Sequence, residues 1–255
     1  MTLAETPAPA FANLAHAEAR QDLAAAFRWV ARLNMHEGVA NHLSLAVDET
    51  GGRFLINPNK KHFSRIRASD LLLLDADDPA TLERPDAPDP TAWGLHGAVH
   101  RRCAHAVCAL HVHSVHATVL ACLEDPTLPP LDQNAAFFYG KVAVDTEYGG
   151  LALDDEAERA CAKLEDPSKT VLVMGNHGVL VVGRSVAEAF DRLYYFERAC
   201  ETYIKALWTG RPLRILSHEV AAKTAAQADG YGEAGGAHFA ELRAILDDEG
   251  ADYAH

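Results

Sequence analysis

The sequence predicts an α/β domain with a mixed sheet and helices on both of its sides. Three observations carry this. Helix-like and strand-like segments succeed one another along 255 residues, hairpin signals interrupt them, and the length suffices for one substantial core. Apolar residues make up 49% and charged residues 23%, an ordinary balance for a globular chain.

In chain order, residues 1–16 open with a Pro/Ala-rich stretch and are expected to form a flexible tail. The main domain is expected over 17–215, and a C-terminal extension over 216–255. From Ala17 to Met35, Leu23, Phe27 and Val30 recur on one helical face. Residues 42–57 read as a hairpin turning at Gly51-Gly52, and Leu71–Leu74 as a further strand. The Asp/Pro-rich stretch 76–90 is a loop, 95–102 a helix, 106–112 an apolar strand, and 115–123 a helix.

Asp154 or Asp155 can cap a helix that ends near Leu164. Two β-branched runs then meet at Gly175-Asn176-His177-Gly178, where Gly178 is expected to take a positive φ. Ser185 and Glu188 form a capping box for a long helix that stops at Gly210. The stretch "DGYGEAGG" reads as a flexible link to a short last helix, expected to cover a neighbouring subunit's site.

Composition excludes some functions. The formal charge is −13, with 23 Lys and Arg, whereas a nucleic-acid surface needs a basic stripe and an anionic membrane attracts polybasic segments. Neither partner is expected. Five scattered cysteines without a C-x-x-C pair read as packing residues in a reducing compartment. With no secretory leader and no membrane-length apolar run in view, a cytoplasmic location is expected.

The chemistry concentrates in "ALHVHSVHATVLAC". On a strand, residues i and i+2 face the same way, so His111 and His113 can address one ion, or can be hydrogen-bonded core histidines. His177, between glycines at a turn, can enter the same cleft or face solvent. Three imidazoles from two strand ends would leave coordination positions open for water or substrate. His96 and His100 share one helix face at H-x-x-x-H spacing, as metal ligands, as supports behind a site, or as surface residues.

Five segments taken together, "GVANHLSL", "FLINP", "PTAWGLHGAVH", "ALHVHSVHATVLAC" and "VLVMGNHGVLVVG", resemble in order the class II aldolase/adducin family over roughly residues 20–210. The resemblance implies a three-layer α/β/α fold with a mixed central sheet. It implies a divalent metal on His111, His113 and His177, zinc foremost, with manganese or iron as alternatives. It also implies a homotetramer with active sites between subunits and a small-molecule substrate.

Two departures qualify the resemblance. Sugar-phosphate aldolases of the family carry a P-S-S-E stretch whose Glu serves as ligand and acid/base; Asp89-Pro90-Thr91-Ala92 stands there, with Ala92 at the Glu position. The Gly-Asn and Thr-Gly of the phosphate cradle align with Asn41-His42 and Asn59-Lys60. Asn41, Ser44, Asn59, Lys60 and Thr91 are therefore candidate substrate contacts without a glycine-lined cradle. His42, His96 and Tyr139 are candidate catalytic groups: His42 or His96 as base or clamp, Tyr139 as proton donor. His105 and His116 are assigned to the helix surface or the core.

The expected function is a metal-dependent lyase. It would carry out aldol-type cleavage or decarboxylation of a small hydroxy-carbonyl or hydroxy-acid compound other than a sugar phosphate. An Fe(II) oxygenase on the same scaffold and a non-enzymatic adducin-like module are the alternatives.

Overall fold

A computed structural model describes residues 14–150, 155–231 and 234–255. Most of the expected tail (1–13) and the candidate cap Asp154 lie outside the described residues. Seven strands form one sheet: β1 (His42–Ala46), β2 (Arg53–Ile56), β3 (Leu72–Asp75), β4 (Cys108–Val112), β5 (Val142–Asp145), β6 (Val171–Met174) and β7 (Gly178–Gly183). Their order is β3-β2-β1-β4-β7-β6-β5. Every neighbouring pair is antiparallel except β5–β6, which makes the sheet mixed.

The described helices are α1 (Ala17–Arg32), α2 (Pro90–Arg102), α3 (Val115–Ala121), α4 (Gln133–Phe137), α5 (Glu156–Leu164), α6 (Val186–Trp208), α7 (His218–Gly230) and α8 (Ala234–Asp248). Strand side chains alternate between two cores, as a period of two requires. Leu43, Leu110, Val112, Val179 and Val181 join Phe27, Phe190 and Leu246 from α1, α6 and α8. Ala109, Leu172, Leu180 and Val182 join Leu95, Val99, Cys161 and Leu164 from α2 and α5. The result is the expected α/β/α layering.

Several boundaries differ from the sequence reading for identifiable reasons. α2 starts at Pro90, one turn before the expected Leu95. Asp89 caps it by accepting a hydrogen bond from Thr91 N at 3.0 Å, and Pro90 supplies a preset φ in the first turn. Gly94 had hidden that first turn, since glycine weakens a helical pattern. Asp155 stands at the head of α5 but makes no side-chain cap; its carboxylate pairs with Arg159 instead.

At the β6–β7 turn the positive φ belongs to Asn176 (56°), and Gly178 is not in the left-handed region. Gly178 is needed for space. A Cβ there would sit 2.6 Å from the Val112 carbonyl oxygen and 2.8 Å from His113 Cδ2.

The C-terminal segment departs most from expectation. α7, built largely of alanine without a strong apolar stripe, packs against α4. α8 is a 15-residue helix that packs on α1 and α6 of its own chain, where Phe239, Leu242 and Leu246 are buried. The Trp29 indole N–H donates to the Leu242 carbonyl at 2.9 Å. The last helix thus completes its own core.

Leu246 is 2% exposed, so Leu246→Ala is expected to cost about 2–4 kcal/mol, the usual range for a buried Leu truncation. Urea denaturation measures this; a loss below about 0.5 kcal/mol would mean that α8 is not docked.

Candidate metal centre

β4 and β7 pair with Val112 opposite Val179, so the chain just beyond β4 and the chain just before β7 lie side by side. His113 follows the one end and His177 precedes the other, while His111 stands one strand position back, on the α2 side of the sheet. One ligand-capable nitrogen from each of His111, His113 and His177 can be chosen so that all lie within 4.8 Å of one another. Ring centroids are 5.1 Å (His111–His113), 4.8 Å (His111–His177) and 4.9 Å (His113–His177) apart.

The donor set fits a divalent cation. His111 Nδ1 lies 3.1 Å from the Val179 carbonyl oxygen, which can only accept, so the ring carries its hydrogen there and leaves Nε2 bare. His177 Nδ1 donates to Glu156 Oε1 at 2.8 Å, with the same consequence. His113 Nε2 is buried without any hydrogen-bond partner. A buried lone pair or N–H left unmatched is costly, and a metal ion would relieve the cost.

Burial holds His111 well below the ordinary imidazole range, helped by neighbouring His42, His177, His113 and His96. Burial also pushes His113 down to about 4, with His177 adding to the effect and Glu156 opposing it. Both rings are therefore neutral near pH 7, the form that binds a metal.

These three rings line a cleft of about 510 Å³ that also exposes His42, Asp89, Thr91, Tyr148 and Glu156. Among the described residues, neither lysine nor arginine lines it. Tyr148 is half exposed, with its ring 6.2 Å from that of His177.

Behind the cleft lies a buried polar chain. His42 and Ser44 project from β1 at i and i+2, and His96 and His100 from α2 at i and i+4, so two periodicities meet face to face. His42 Nδ1 is 2.8 Å from His96 Nε2; Ser44 Oγ bonds His96 Nδ1 and lies 2.7 Å from His100 Nε2. His100 Nδ1 is 2.8 Å from the Ala106 carbonyl oxygen. Burial dominates the acidity of these rings. It pushes His42 down to about 3, against the pull of Asp89, and His100 to about 4, against the Ala106 carbonyl and Asp48. His96 is also held well below the ordinary range, by burial first and then by His42 and His100.

The other sequence candidates are distributed as follows. Thr91 and His42 line the cleft. Ser44 and His96, each 0% exposed, stand behind it and cannot touch a ligand; for Ser44 this replaces the expected substrate contact. Asn41 is buried, and its Oδ1 accepts from the backbone N–H groups of Glu37 (2.6 Å) and His113 (3.2 Å), so it braces the metal loop. Asn59 and Lys60 do not line the cleft. Tyr139 does not either; its hydroxyl bonds His218 at 2.7 Å, at the α4–α7 contact.

Ala92 is 2% exposed and packs with Phe54, Ile56, Leu74 and Ala76, so its side chain faces apolar core. His116, part-buried, bonds Glu197 at 2.9 Å; His105 lies in the turn between α2 and β4.

Three cleft groups escaped the sequence reading. Asp89 fell in the stretch read as a loop, Glu156 resembled any acidic residue in a first helical turn, and Tyr148 stood among mixed strand and turn signals.

Comparison with known proteins agrees with this geometry. Residues 21–204 match the family described as the Class II Aldolase and Adducin N-terminal domain. The chain belongs to that family. The crystal structure of an aldolase II superfamily protein from Pseudomonas syringae superposes with a TM-score of 0.85 at 32% identity, covering 96% of this chain and 98% of that one. A Caulobacter vibrioides protein provisionally named a class 2 aldolase is 33% identical over 80% of this chain and 78% of its own length. Decarboxylase NovR of Streptomyces niveus is 29% identical over 80% of this chain and 75% of its own length. The aldolase/adducin likeness read from the five motifs therefore stands, together with the fold it implied.

Two measurements probe the centre. Glu156→Gln is expected to weaken metal binding by about 10- to 100-fold, as loss of a carboxylate behind a ligating histidine does; titration with a competing chelator reads the change, and an unaltered affinity contradicts the role. In the metal-free protein, His100 stays neutral down to about pH 4, whereas an unfolded histidine protonates near its ordinary value of 6.5. Between those values the unfolded chain binds more protons, so stability is intact above about pH 6.5 and falls toward pH 4, by on the order of 3 kcal/mol from His100. Urea midpoints across that range test it; a flat profile contradicts it.

Proposed function

We propose that the protein is a divalent-metal-dependent lyase acting by aldol-type C–C cleavage or decarboxylation on a small hydroxy-carbonyl or hydroxy-acid substrate. The carrying observation is the convergence of three imidazoles on a cleft with no lysine or arginine among its described lining residues. A metal held by His111, His113 and His177 would supply Lewis acidity, stabilising negative charge that develops on a carbonyl or carboxylate oxygen. Zinc suits three imidazoles best; iron or manganese is the alternative.

The chain's own groups do the remaining work. Glu156 and the Val179 carbonyl fix the orientation and tautomer of His177 and His111. Asn41 anchors the backbone of His113. Burial keeps His111 and His113 neutral, so their lone pairs stay available to a ligand. Tyr148 offers the cleft a phenol hydroxyl that can give a proton to a leaving group, whereas Tyr139 stands outside this chain's cleft, bonded to His218.

A phosphate dianion would find no side-chain cation in the described lining, and this disfavours sugar phosphates. The likeness to a decarboxylase over 80% of the chain supports the carboxylate branch of the reading. An adducin-like, non-enzymatic role is less well supported, because it gives the three convergent rings and the Glu156 brace nothing to do.

The same reading includes a cytoplasmic homotetramer. Val115, half exposed and only two residues beyond His113, and the exposed Trp208 offer apolar surface beside and beyond the site that a neighbouring subunit would cover.

Protein purified without added metal is expected to carry close to one ion per chain by elemental analysis, and His113→Ala to carry almost none. Release of carbon dioxide or of an aldehyde from a panel of 2-hydroxy acids and hydroxyketones separates the two reaction types. Absence of metal in the wild-type protein would sink the proposal, and oxygen uptake by an iron-loaded form would replace it with the oxygenase.

A further inference from the structure

The lyase reading gives no role to Ser44, His96 and His100, yet they form an unbroken buried chain that ends on His42. Its direction follows from one atom. The Ala106 carbonyl oxygen can only accept, so His100 donates to it from Nδ1. His100 Nε2 then holds a lone pair, and the Ser44 hydroxyl donates its single hydrogen there. With that hydrogen engaged, Ser44 Oγ accepts from His96 Nδ1, and His96 Nε2 accepts from His42 Nδ1. His42 Nε2 is left as a bare lone pair. Reversing the chain would set the His100 Nδ1 lone pair against the Ala106 carbonyl oxygen at 2.8 Å.

His42 lines the cleft, with its ring stacked on His111 at 4.9 Å, yet it stands outside the group of three nitrogens that can hold the ion. We propose that Ser44, His96 and His100 form a one-way hydrogen-bond chain, anchored on the Ala106 carbonyl, that keeps His42 Nε2 as an acceptor for a substrate hydroxyl. His42 is then the group that touches substrate, and the other three are positioning residues.

A neighbouring group reinforces the choice. Asp89 also presents a carboxylate to the cleft, so a carboxylate or phosphate oxygen set between it and His42 would find no hydrogen on either. The fitting ligand carries its anionic or carbonyl oxygen toward the three imidazoles and an O–H toward His42. That arrangement is a 2-hydroxy acid or hydroxyketone. The word "substrate" here rests on the lyase reading; the direction of the chain does not.

Long-range nitrogen–proton NMR on the metal-free protein at neutral pH is expected to find His42, His96 and His100 all in the Nδ1–H form. An Nε2–H form at any of the three overturns the chain. In cobalt-loaded protein, followed by visible absorption, glycolate is expected to bind about tenfold more tightly than methoxyacetate, the worth of one hydrogen bond to a buried acceptor. Ser44→Ala should erase most of that preference and Ser44→Thr should keep it. Equal binding of the two acids by the wild-type protein overturns the acceptor role while leaving the metal centre standing. Failure to take up cobalt overturns the lyase reading and leaves the tautomers to decide the chain.

Discussion

The antiparallel register between β1, β4 and β7 is the constraint on which the site depends. His42 stands opposite His111, and His111 opposite Leu180. Because strand side chains alternate, this register sends His42, Ser44 and His111 to the α2 side of the sheet and Leu43, Leu110 and Val112 to the α1/α6 side. A slip by one residue would exchange the two sets, burying imidazoles among phenylalanines and leucines. The apolar face of β4 therefore fixes the positions of its polar face, and the core and the metal centre are specified by the same hydrogen bonds.

The imidazoles other than His113 are stable in the interior because each engages at least one ring nitrogen in a hydrogen bond. Backbone carbonyls at Val179 and Ala106 take the ring hydrogens of His111 and His100, Glu156 takes that of His177, and Ser44 links His100 to one further ring, His96. A buried charge would be far more costly than these neutral contacts, which is why burial dominates the acidity of the cluster. Where the three rings meet, a nitrogen of His113 and an oxygen of Glu156 are left without partners.

Much of this was legible in the sequence, because it is written in short-range periodicity. The H-x-H at a strand end, the glycine-flanked histidine of a β-turn and the H-x-x-x-H of a helix each state which side chains share a face. What the sequence did not disclose is which faces meet. His42 and Ser44 on β1 read as substrate contacts or strand residues until α2 is seen to lay His96 and His100 against them. Asp89 was hidden in a stretch read as loop, and Glu156 because a cleft carboxylate in a first helical turn has no local signature of its own. Aligning Ala92 with a catalytic Glu located the missing carboxylate but not the direction in which that residue points, since helix phase depends on the start at Pro90. α7 escaped because an alanine-rich stretch lacks the stripe from which helices are read.

The bracing of the three candidate metal-binding rings has a consequence for ion choice. Donors already locked by Val179, Glu156 and Asn41 cannot rearrange to favour one cation's preferred geometry over another's. Selection then passes to supply, because affinity at nitrogen donors rises along the first transition row toward copper whatever the protein prefers. Preparations grown on different trace elements should therefore differ in occupant while sharing one scaffold.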